Sequence, residues 1–89
     1  MDKTIVLTIK DKDITFTVGV DEYNRFVNEM QPKNKVAPAH NFLMRTVDDA
    51  SKDDLRALLA LPGASLDIVG SLVEEYVPDL NIMVGKSSA

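Results

Sequence analysis

The chain contains no cysteine and no tryptophan, and it has a single histidine. Without cysteine there is no disulfide, no thiolate metal ligand and no cysteine nucleophile. Small secreted domains usually depend on disulfide staples, so their absence favours a reducing compartment. Long apolar runs are also missing. None approaches the roughly 20 residues of a membrane span. The opening MDKTIVLTIKDKD does not read as a signal peptide, because its apolar residues alternate with threonine. Positive charge is in deficit, with a formal net charge of −4. Such a surface has no general attraction for phosphate backbones. Neither a nucleic-acid nor a membrane partner is expected.

What is present is a globular composition, with 45% apolar and 27% charged residues in 89. Residues 4 to 18, TIVLTIKDKDITFTV, alternate with period two on either side of KDKD. That pattern predicts two strands joined in a hairpin. Pairing Ile9 with Ile14, Leu7 with Phe16 and Ile5 with Val18 places all six apolar side chains on one face. Asp21 is a candidate helix cap. Tyr23, Phe26, Val27 and Met30 then form an apolar helical stripe, and Pro32 ends it. Pro38 suits the first turn of a second helix, with Ala39, Leu43 and Val47 on one face and Phe42 and Thr46 beside it. Ser51 is a candidate cap for a third helix, whose apolar face is Leu55, Leu58 and Leu59. Ser65 is a candidate cap for a fourth, with Leu66, Val69, Leu72, Val73, Tyr76 and Val77 as its stripe. Gly70 inside that helix suggests a close helix contact. A hairpin alone is marginal in water, so the helices must cover its apolar face. The expected fold is α+β: an N-terminal antiparallel β-hairpin packed against three or four short α-helices. Residues 1–80 are expected to form one domain, with 81–89 a short C-terminal tail.

The chain carries little chemistry. His40, in NKVAPAHNFLMRTV, has no cysteine or serine motif to activate and supplies one metal ligand at most. It reads as a boundary residue, its ring body turned inward. Asp48, Asp49, Asp53 and Asp54 cluster around Ser51, but the glycine and closing glutamate of a calcium loop are absent. A second decoy beginning at Asp11 has Phe16 where that glycine belongs. The four glycines are isolated, so no phosphate-cradling loop exists. No catalytic residue, metal site or cofactor is expected. Phe42, Met44, Ile82, Met83 and Val84 exceed what a small core needs. They are the candidate protein-binding residues, with core packing or self-association as the competing use.

The opening KTIVLTIKDKDITFTV, YNRFVNEM, KVAPAHNFL, KDDLRALLALPGASLDI and EEYVPDLNI together resemble the small phage tail assembly chaperone family. The resemblance runs over nearly the whole chain and includes no catalytic signature. It implies a non-enzymatic protein of the host bacterial cytoplasm. Its partner would be the tail tape-measure protein, a helical client kept soluble until tube subunits polymerise around it. The tail tube protein and a second copy of the chain are further candidate partners. Many genes of this kind also give a longer form by ribosomal slippage, and Val84-Gly85-Lys86 can be encoded by a slippery heptamer. The alternatives are a structural or completion component of the tail, or a small regulatory protein-binding module.

Overall fold

In the computed structural model, which describes residues 2–85, the chain first reverses at Lys10 and Asp11. Both take positive φ, 48° and 66°. Two consecutive positive φ values mark a type I′ turn, whose twist matches that of the strands it joins. The turn fixes the register of β1 (Lys3–Ile9) and β2 (Lys12–Val18). Ile9 pairs with Lys12, Leu7 with Ile14 and Ile5 with Phe16. The expected pairing of Ile9 with Ile14 is therefore off by two positions. Only the first two residues of KDKD turn, and Lys12 and Asp13 enter β2. A shift of two preserves side-chain parity, so Ile5, Ile14, Phe16 and Val18 are still buried together.

Four helices follow: α1 (Val20–Glu29), α2 (Val36–Thr46), α3 (Lys52–Leu59) and α4 (Ala64–Tyr76). The fold is the α+β arrangement that the sequence pattern implies. Gly19 occupies the cap position of α1, and Asp21 lies inside its first turn. There its charge complements the helix dipole instead of capping a backbone N–H. Between α1 and α2, Gln31 and Asn34 exchange backbone hydrogen bonds of 3.2 and 3.1 Å around Pro32 and Lys33. Gly63 caps α4 at φ 76°, a left-handed conformation that glycine takes without a Cβ clash. Ser65 is therefore not the cap; it lies buried one residue inside the helix.

One core unites these elements. Phe16, Phe42, Ile14, Leu43, Leu55, Leu72 and Val18 are fully buried. The Phe26 and Phe42 rings stack at 4.9 Å and join α1 to α2. Tyr23 and Tyr76 meet at 5.4 Å and join α1 to α4. On α4 the core face includes Ile68, which the sequence stripe omitted, whereas Leu66 and Val77 are exposed. The true stripe is Ser65, Ile68, Val69 and Leu72, and Leu66 stands about 100° from Ser65 on a 3.6-residue helix.

The two edges of the hairpin differ. On β2, Asp48 donates its N–H to the Thr15 carbonyl at 2.9 Å. The Thr15 N–H donates to Ser51 Oγ at 3.1 Å. Ser51 does hold the position before α3, but its hydroxyl makes no cap bond there; it closes the sheet edge instead. Thr17 Oγ donates to the Asp48 carboxylate at 3.0 Å, so residues 47–51 seal β2. Among the described residues, β1 has no partner but β2.

Gly70 is exposed, and a Cβ built on it meets nothing within 4 Å. The close helix contact expected there is absent within the chain. Gly70→Ala will therefore stabilise α4 by about 1 kcal/mol. Thermal unfolding will show this as a rise in Tm of roughly 4–8 °C.

Candidate functional site: an apolar trough along the start of α4

Three clefts lie in a row along the N-terminal half of α4. The first, about 230 Å³, is lined by Leu7, Thr8, Ile9, Asp67, Ile68 and Ser71. The second, about 190 Å³, shares Ile9, Asp67 and Ile68 with it and adds Leu58, Leu61 and Pro62. The third, about 120 Å³, shares Leu61 and extends to Val36, Leu59 and Leu66. The shared walls make one trough, from the open edge of β1 to the start of α2. Its walls are mainly apolar, with Thr8, Asp67 and Ser71 among them, and Val36, Leu61 and Leu66 on its rim are exposed.

The sequence places these side chains here for separate reasons. Leu7 and Ile9 share the inward parity of β1, but they lie at the edge of the hairpin and stay half-buried. Leu61 follows the end of α3, where LPG breaks the helix. Leu66 is carried outward by the phase of α4. No contiguous motif marks the trough, because four elements contribute to it. An excess of large apolar residues over core positions was the one usable signal.

The sequence candidates fall into three groups. Phe42 is fully buried and cannot meet a partner on the folded protein. It lies on the inward face of α2 with Ala39 and Leu43, stacked on Phe26. Met44 is half-buried and packs against the core. Ile82, Met83 and Val84 are exposed at 82%, 82% and 97%, and Leu80 at 69%. They follow α4 as a segment outside any helix or strand, turned at Asn81 (φ 51°) and held there by a bond from the Asn81 N–H to the Asp79 carboxylate at 2.8 Å. Lys86, and with it the end of the candidate slippage segment, lies outside the described residues.

The polar groups offer no comparable arrangement. His40 is exposed on α2, not half-buried as expected. Asp49, Asp53 and Asp54 are engaged by Lys52, Arg56 and Lys12 at 3.6, 3.3 and 3.8 Å. These pairs are exposed and contribute little to stability. Among the described residues, no group of three or more His, Asp or Glu is placed to hold a metal ion. Nor is any helix of the described residues long and apolar enough to cross a membrane.

An apolar trough without a chemical centre suits protein binding. The sequence profile of the phage tail assembly chaperones matches residues 5–86. The chain belongs to the phage tail assembly chaperone family. A relative from Haemophilus phage HP1 (strain HP1c1), described as an uncharacterised 11.3 kDa protein in the lys 3′ region, is 25% identical over 81 residues. The match covers 91% of this chain and 79% of the relative. No solved structure matches. Family membership supports a role in tail assembly and in binding tail proteins, and it suggests a role that is not enzymatic.

Proposed function

We propose that this tail assembly chaperone binds the tape-measure protein in the host cytoplasm and keeps it soluble until the tail tube forms around it. The observation that carries the reading is the apolar trough with its exposed rim of Val36, Leu61 and Leu66, on a chain of this family. An amphipathic helix binds such a groove by burying its apolar face. A tape-measure protein is long and helical, as the family resemblance implies, and presents such faces before assembly. The net charge of −4 helps keep the complex dispersed.

A tail structural component is the second reading, and the two differ in what the finished particle contains. Quantitative mass spectrometry of purified particles tests this. The chaperone reading expects the protein in infected-cell lysate and at no more than trace level in particles. A fixed stoichiometric copy number in particles would contradict it.

A further inference from the structure

We infer that the C-terminal segment Leu80–Val84 of one copy adds as an antiparallel third strand to the open edge of β1 in a second copy. The inference concerns self-assembly: it fills the β1 end of the trough and leaves the client the end at Val36, Leu61 and Leu66, whatever that client is.

The edge itself is the first observation. Antiparallel ladders alternate residues that bond to the neighbouring strand with residues that point the other way. Thr15 bonds away from β1, to Asp48 and Ser51. Its cross-strand partner is Val6, flanked by Thr4 and Thr8 opposite Thr17 and Asp13. By that alternation Thr4, Val6 and Thr8 point their N–H and C=O groups to the outer edge. Among the described residues none of these groups has a backbone partner. Unpaired edges of this kind accept a further strand.

The space beneath the edge is the second observation. Leu7 and Ile9 remain half-buried there, above the cleft of about 230 Å³ that they share with Ile68. An added strand would cover them with alternate side chains. The third observation is the segment. Leu80, Ile82 and Val84 are apolar at period two, and all are exposed in a run that belongs to no helix or strand. In antiparallel register, Leu80 faces Ile9, Ile82 faces Leu7 and Val84 faces Ile5. Asn81, Met83 and Gly85 then meet Thr8, Val6 and Thr4, and they supply the bonds the edge lacks. Pairing also straightens Asn81, which stands at φ 51° in the free segment.

The occupant is a second copy because the chain's own tail cannot reach this register. Lys3 Nζ donates to the Glu75 carbonyl at 2.7 Å, so α4 ends beside the start of β1. Leu80 would have to reach Ile9, roughly 20 Å along the strand, whereas the three residues after Val77 span about 10 Å. The Cα radius of gyration, 15.3 Å, exceeds the roughly 12 Å of a compact chain of this length. That difference agrees with a tail projecting from its own domain. Reciprocal exchange places two tails on two edges and forms a twofold dimer.

The test uses the full chain in sedimentation equilibrium across a concentration series. The wild type is expected to reach twice the chain mass. Met83→Pro removes the N–H that pairs with Val6, in a residue with no role in the core. Val6→Pro removes the donor on the edge while leaving the β1–β2 bonds. Each is expected to weaken the dimer tenfold or more. The chain lacks cysteine, so oxidation of an L7C and I82C mixture reads the register directly, through a disulfide between copies. A wild type that stays monomeric throughout would overturn the inference. So would a Met83→Pro chain that dimerises like the wild type, or an L7C/I82C double variant that closes its disulfide within one chain.

Discussion

Phe42→Ala will destabilise the fold by about 3–5 kcal/mol, the usual cost of emptying a phenylalanine site in a core. Phe42 is fully buried and stacks on Phe26 at 4.9 Å. Small domains hold roughly 5–15 kcal/mol in total, so the loss removes a large part of the reserve. Urea titration will show the midpoint falling steeply with little change in slope. A variant that unfolds near room temperature will also lose its client, and that loss will reflect stability and not contact. Phe42→Leu keeps most of the volume and is the matched control. It will retain client binding at a smaller cost in stability.

Leu61→Glu with Leu66→Glu will have the reverse profile. Both side chains are exposed on the rim of the trough, and exposed substitutions usually change stability by no more than about 0.5 kcal/mol each. In a complex with an amphipathic helix, the two carboxylates would be buried against apolar surface without partners. The expected loss of affinity is about 2 kcal/mol or more, a factor of roughly 30. Calorimetric titration with a tape-measure segment will measure it, and the unfolding curve of the same sample will show the fold intact. Equal affinity for variant and wild type would move the client away from this face.

The contrast between these two variants shows what the sequence could and could not reveal. Period-two alternation identified the hairpin and its buried face, because parity survives a register error of two. The register itself depended on Lys10 and Asp11 both adopting positive φ. Lysine and aspartate are weaker signals for that turn than the asparagine-glycine pair that usually marks it. Helix existence was legible from stripes and prolines. Side-chain roles at the helix starts were not, because Ser51 Oγ has two possible partners and tertiary structure chose the Thr15 N–H.

The binding surface was legible only in part. Ile82, Met83 and Val84 follow Pro78, beyond any helix that could bury them, and so their exposure was foreseeable. Leu66 was expected in the core stripe and is rim, whereas Phe42, open between core and partner contact in the sequence, is core. A phase difference of one residue on a short helix decides between the two, and apolar residues of similar size give no other signal. The trough draws on β1, α2, α3, the α3–α4 connection and α4, and no local pattern reports such a meeting.

Co-expression with the tape-measure protein of the same phage tests the central claim most directly. The measurement is the fraction of tape-measure protein in the soluble lysate, with and without the chaperone, followed by affinity capture. The account predicts a several-fold gain in soluble client, a co-purifying complex, and loss of both with L61E/L66E. An insoluble client and no complex, with the chaperone itself folded and abundant, would contradict it.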